Sequence, residues 1–216
     1  MTLDLNTYDI FLIVFVIAVI AVLQFFRGRK LNLILIEYTA RIFEDILKPK
    51  DKEYQWIGLY VGYKARFLTP YKSLVRTEAV VTLMPRHSLF YLPIAFITSR
   101  FDRLYMFFRY NRKFVNEAHI IRKHYYRLGP HRVIRGIERM AFESIEIKGK
   151  TYYLIYNDLR IARELVNIVK GLSDPHIINH LAIVSSNSSL YVAAKITPQT
   201  FEELVRKMYM LAREFA

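Results

Sequence analysis

The residues with the chemistry to act are six histidines, a serine cluster, a few paired acids and a dense run of arginines. His176 and His180, in the string HIINH, have the four-residue spacing that lets two imidazoles meet one metal ion. A zinc hydrolase would carry Glu directly after the first His and a third ligand, and neither is evident. Asp174-Pro175 makes the same stretch a helix start or loop. Ser185, Ser186, Ser188 and Ser189 lack the glycine-flanked turn that exposes a nucleophilic serine, and they read as turn residues. Glu143 and Glu146 fall on opposite or skewed faces of a predicted strand, a poor acid–base pair. His87 beside Arg86 would suit a nuclease only with an acidic metal-binding cluster, which does not accompany it. The 7 glycines are scattered and build no phosphate loop, and the absence of cysteine excludes thiol catalysis, a disulfide scaffold and Cys-ligated zinc. No catalytic residue, metal ligand or cofactor is assigned, and the expectation is a non-enzymatic protein.

Charge is the stronger signal. The chain has 32 Lys and Arg against 19 Asp and Glu, a formal net charge of +13. Eleven cations crowd into residues 100–139: Arg100, Arg103, Arg109, Arg112, Lys113, Arg122, Lys123, Arg127, Arg132, Arg135 and Arg139. Only Asp102, Glu117 and Glu138 oppose them there. Nine of the eleven are Arg, which grips phosphate with a planar fork and stacks on bases. Tyr105, Phe107, Phe108, Tyr110, Tyr125 and Tyr126 are interleaved with them. Three readings stay open: a face for RNA or the ribosome, attraction to an anionic inner leaflet, or a solvated face matched by an acidic protein.

Ile10 to Phe26 reads IFLIVFVIAVIAVLQFF, 17 residues whose one polar member is Gln24. At roughly 1.5 Å per residue the run spans about 25 Å, close to a hydrocarbon core. Tyr8 and a snorkelling Arg27 can cover the shortfall. A cleaved signal peptide fits poorly, because Asp4 and Asp9 precede the run where Lys or Arg would be needed. Arg27, Arg29 and Lys30 follow it as membrane-interface cations. The positive-inside rule then places the N-terminus outside the cell membrane and residues 27–216 in the cytoplasm. The expected organisation is a short outer segment (1–9), a membrane span (10–26), a juxtamembrane amphipathic helix with its linker (27–53) and a basic α+β domain (54–216).

The spacing predicts a helix over 31–48, lying on the bilayer or on the domain, stopped by Pro49. Lys50 to Glu53 reads as a charged linker. Strands are predicted over 56–68, 74–84 and 104–110, and a helix over 116–128 ended by Gly129-Pro130. Hairpins follow at 142–148 with 151–156 and at 181–185 with 190–196. Helices are predicted over 159–172 and from Thr197-Pro198 to the end. The fold class is therefore α+β: one transmembrane helix, then antiparallel strands with helices packed on the sheet.

The later elements carry a resemblance. Tyr153-Leu154-Ile155-Tyr156, the helix LRIARELVNIVKGLSD (159–174), the strand Leu181-Ala182-Ile183-Val184-Ser185 and the closing MYMLARE (208–214) follow one another as in the calumin-like family. These are coiled-coil-domain-containing endoplasmic-reticulum proteins of the multipass translocon. The chain resembles the family's cytosolic domain in element order over 55–214, most sharply over 153–185. The resemblance implies a non-enzymatic role in membrane-protein biogenesis. Its partners would be the translating ribosome and its RNA, the Sec translocon, a small membrane partner and nascent multipass clients. The chain departs from the family in its nine-residue, two-Asp outer segment and in lacking a long basic tail after the domain. A minimal prokaryotic, for instance archaeal, relative would look like this. The alternatives from the residues alone are a membrane-tethered RNA-binding or RNA-processing protein, and a scaffold that binds anionic lipid.

Overall fold

One unbroken helix, α1 (Thr7–Leu47), carries both the apolar run and the amphipathic segment after it. The structure is a computed structural model and describes residues 6–98, 101–126 and 128–216. Asn6 caps the first turn, accepting from the Thr7 N–H at 2.7 Å while Asp9 accepts from the Asn6 N–H at 3.1 Å. Lys48 ends the helix in the left-handed region at φ 42°, and Pro49 offers no N–H to extend it. Residues 7–27 turn apolar side chains outward all round, and this is the stretch long and apolar enough to cross a membrane. Beyond it Gly28, Asn32, Ile36, Thr39, Phe43 and Leu47 form a buried stripe at steps of three and four residues. The 31–48 segment therefore packs its apolar stripe on the domain.

The domain is built on nine antiparallel strands: β1 (Asp51–Trp56), β2 (Gly62–Leu68), β3 (Leu74–Thr82), β4 (Arg103–Tyr110), β5 (Ala118–Arg122), β6 (Ala141–Ile147), β7 (Lys150–Tyr156), β8 (Ile178–Val184) and β9 (Ser189–Lys195). They form one sheet in the order β1-β2-β3-β4-β9-β8-β5-β7-β6. The last half of α1, with α3 (Leu159–Lys170) and α4 (Pro198–Glu214), covers one face of it in a single apolar core. Phe43 is fully buried there, with its ring centroid 5.7 Å from Phe67 of β2 and 5.5 Å from Phe201 of α4. Tyrosine hydroxyls fasten the layers: Tyr38 donates to the Pro198 carbonyl at 2.7 Å and Tyr110 to that of Ala212 at 2.7 Å.

The opposite face is divided. Across β5, β7 and β8 it is roofed by residues 123–126 and 128–140, which carry two single-turn 3-10 helices (Pro130–Arg132 and Ile137–Arg139). Ile121 and Ile155 of the sheet meet Ile134 and Ile137 of this roof in a second, smaller core. Across β1 to β3 the same face is open, and at β4 the edge of the roof reaches it, with Tyr125 against Tyr105.

The structure corrects several sequence expectations. Residues 50–53 are not a linker, since β1 begins at Asp51 and pairs along β2. The strand foreseen over 56–68 is broken by a turn at 57–61, where Gly58 and Tyr60 take positive φ of 55° and 57°. The helix foreseen over 116–128 is strand β5, which then gives way to the roof. β5 lies between β7 and β8, so Ala118, His119, Ile120 and Ile121 are all buried and no two-residue alternation survives to announce a strand. A fourth helix, α2 (Tyr91–Thr98), lies in the β3–β4 connection, where nothing was foreseen.

Candidate functional site

The chain's run of cations does not form one face. Arg100 and Arg127 lie outside the described residues. Arg122 is partly buried and donates from Nη1 to the His176 carbonyl at 3.1 Å, a bond that ties β5 to the turn before β8. Arg103 and Arg109 sit on the face of β4 turned away from the main core. Arg109 is held by Glu78 at 3.2 Å, and the Arg103 guanidinium lies 5.5 Å from the Phe101 ring. Arg112 and Lys113 occupy the β4–β5 connection, Lys123 follows β5, and Arg132, Arg135 and Arg139 stand on the roof. These last six are exposed and form no ion pair among the described residues. Several acids are engaged with other cations, among them Glu37 with Arg41, Glu44 with Lys52, Glu53 with Arg66 and Glu202 with Arg206.

The interleaved aromatics sort by the period of a strand. Phe108 and Tyr110 point into the main core, while Tyr105 and Phe107 lie half-buried on the opposite face. Tyr125 and Tyr126 belong to the roof and pack against its small core. Most of the aromatic content of 100–139 therefore builds cores. Phe107 remains as a floor, with Tyr191 of β9 beside it at a centroid distance of 4.8 Å.

Along the edge of the roof runs a cleft of about 410 Å³, floored by Phe107 and Tyr191 and walled by Val133, Ile134 and Arg135. Its deep end is a chain of hydrogen bonds that the sequence did not suggest. Glu117 Oε1 lies 2.9 Å from His119 Nε2, His119 Nδ1 lies 3.1 Å from His180 Nε2, and His180 Nδ1 lies 2.7 Å from the Tyr126 hydroxyl. Glu117 Oε2 also accepts from the Ser185 N–H at 3.1 Å and from the Ser185 hydroxyl. Burial alone would raise the Glu117 carboxyl, but the bonds from His119 and Ser185 outweigh it and hold the group below its ordinary range. Full burial, with His119 beside it, pushes the His180 imidazole well below 6.5, so that it is neutral. Every atom is then satisfied by one order of donors: Tyr126 O–H to His180, His180 Nε2–H to His119, and His119 Nε2–H to the Glu117 carboxylate. Burial raises the phenols of both Tyr126, to about 12, and Tyr191. They can donate hydrogen bonds in the cleft but are not poised as nucleophiles.

His180 thus pairs with His119 and not with His176, the partner its spacing suggested. Among the described residues no three His, Cys, Asp or Glu side chains converge as a metal site. The signal that could have revealed the pair is Glu117-x-His119, which shares one face of a strand, but it is visible only once 118–122 is read as β. The cations expected at a membrane interface stand at the foot of the apolar run. Arg27 and Lys30 are exposed, and Arg29 stacks on Tyr60 at 4.5 Å. His87 and Arg86 belong to no nuclease-like cluster: Arg86 is bound to Asp102 at 2.7 Å and to Asn32 at 3.0 Å. A comparison with known families finds none that matches the chain, and a comparison with curated proteins finds no match.

Proposed function

We propose that the chain is a single-pass, membrane-anchored, non-enzymatic factor with its N-terminus outside and its domain in the cytoplasm. The domain docks on ribosomal RNA beside the Sec translocon and assists the insertion or folding of multipass membrane proteins. The observation that carries this reading is the set of six exposed cations, Arg112, Lys113, Lys123, Arg132, Arg135 and Arg139, left without carboxylate partners among the described residues. Exposed cations of this kind, mostly Arg, attract a phosphate backbone through counterion release. The similarity of element order to the calumin-like family supports the same role. The lipid-scaffold reading loses one of its two surfaces, because the 31–48 segment spends its apolar stripe on the domain.

The test is co-sedimentation of the full chain, in lipid nanodiscs, with ribosomes across a salt series. Binding at low salt that weakens as salt rises is the expected result, with strong loss in the triple variant Arg132→Glu, Arg135→Glu, Arg139→Glu. No binding at low salt, or indifference to that reversal, would overturn the reading.

A further inference from the structure

The β3–β4 connection carries an apolar projection that no part of the domain covers. No Asp, Glu, Lys or Arg lies between Arg86 and Arg100. Within this stretch Phe90 is 74% exposed and Ile97 is 77% exposed, with Tyr91, Ile94 and Phe96 also turned outward. Among the described side chains of α2 only Ala95 is buried, with Leu92 partly so. Outward-facing apolar side chains in such a cluster mark an interaction surface.

Where the projection begins is set by close contacts with α1. Gln24, in the last turns of the apolar run, donates from Nε2 to the Arg86 carbonyl at 2.7 Å. Phe25 meets the His87 ring edge-on at 5.9 Å. Gly28 lets the two backbones touch, since a Cβ there would stand 2.1 Å from the Arg86 carbonyl oxygen. The base is rigid, because Asn32 donates to the Tyr60 and Met84 carbonyls at 2.7 and 2.9 Å and Arg86 is clamped by Asp102. On the neighbouring β1–β2 hairpin, Trp56 and Leu59 are exposed beside Tyr60, whose ring lies under Arg29 and 6.1 Å from His87. Two apolar projections therefore flank α1 at the level where its apolar run ends and its cations begin.

We infer that α2 and the Trp56–Leu59 tip enter the near leaflet of the bilayer that α1 crosses, giving the domain a second and a third hold on the membrane. Continuity with the bare apolar surface of α1 selects lipid as the occupant. At roughly 1.5 Å per residue α2 is only about 12 Å long, too short to cross, so it lies at the boundary of headgroups and acyl chains. Three points of contact fix the orientation of the sheet to the membrane, which a lone helix free to spin about its axis would not. The inference rests on α1 being the anchor, and the experiment separates the two.

The chain has no native cysteine, so single-cysteine variants take one label each. Full-length Ile97→Cys, Leu59→Cys, Val19→Cys and Lys123→Cys would carry nitrobenzoxadiazole in phosphatidylcholine–phosphatidylglycerol vesicles. Lipids spin-labelled near the headgroup or deep in the chains act as quenchers. The expected result is blue-shifted emission at positions 97 and 59, quenched most by the shallow label, with position 19 quenched by the deep label and position 123 by neither. Quenching at 97 and 59 no greater than at 123, while 19 responds, overturns this inference and leaves the anchor standing. Quenching absent at 19 overturns the anchor and the inference together. Self-quenching at 97 without response to lipid overturns it in favour of a second copy of the chain.

Discussion

At the scale of single residues, the most consequential group is His180. It is neutral because it is wholly buried, and it is tolerated because His119 and Tyr126 satisfy both ring nitrogens. That arrangement makes stability depend on pH with a definite sign. Above about pH 6.5 the ring is neutral in folded and unfolded chains alike. Below it the unfolded chain binds a proton that the folded chain refuses, so stability is lost as pH falls. The slope contributed is about 1.4 kcal/mol per pH unit until the depressed folded value is reached. Glu117 acts in the same direction lower down, because its folded carboxyl is held below 4.5. His180→Gln should be less stable than the native chain at pH 8 yet lose less between pH 6.5 and 5, as urea unfolding followed by circular dichroism would show. Parallel slopes in the two proteins would remove His180 as the cause.

At the scale of elements, the decisive contact is between the second half of α1 and the rest of the domain. Gly28 and Asn32 hold it to the turn after β3, and Phe43 holds it to β2 and α4. Phe43→Ala removes a ring with no exposed surface from between three elements, and a loss of about 3–5 kcal/mol is the expected cost. Gly28→Ala forces a methyl group into the Arg86 carbonyl and should cost about 1–3 kcal/mol by overpacking. The two differ in what they loosen. Limited proteolysis of Gly28→Ala should open the 85–102 connection first, whereas Phe43→Ala should lower the unfolding midpoint of the whole domain. If Gly28→Ala left that connection as protected as in the native chain, the close approach would carry no weight.

At the scale of the whole molecule, the charges and the apolar projections divide the surface. Trp56, Leu59 and α2 cluster where the apolar run of α1 ends. Arg112 and Lys113 lie in the connection that leaves β4 at the other end of the sheet, and Arg132, Arg135 and Arg139 stand on the roof. If all six exposed cations meet phosphates, log K against log salt for single-stranded RNA should fall with a slope of about −4. Reversing the three roof arginines should flatten that slope as well as weaken binding. A salt-independent affinity would mean that some other force holds the partner.

The sequence by itself determined whatever depends on neighbours along the chain. Ile10–Phe26 is apolar without interruption, so its nature is plain. The stripe Ile161, Leu165, Ile168 and Val169 makes α3 legible, and Pro198 with Phe201, Leu204 and Val205 makes α4 so. The hairpins β6–β7 and β8–β9 show because each sets two short runs of strand-forming residues on either side of a short polar turn, although β8 and β9 are almost wholly buried and do not alternate. What only the tertiary structure decided depends on residues far apart. β5 is a strand because β7 and β8 lie on either side of it, and its own residues contain no period that says so. The aromatics of 100–139 resembled an RNA-stacking surface because alternation along β4 cannot reveal which face is covered. His180 takes His119 as its partner across 61 positions of sequence, a pairing set by strand order and not by spacing. The net charge was legible from composition, but which cations are spent on Glu78 or the His176 carbonyl and which remain for a partner is a property of the folded sheet.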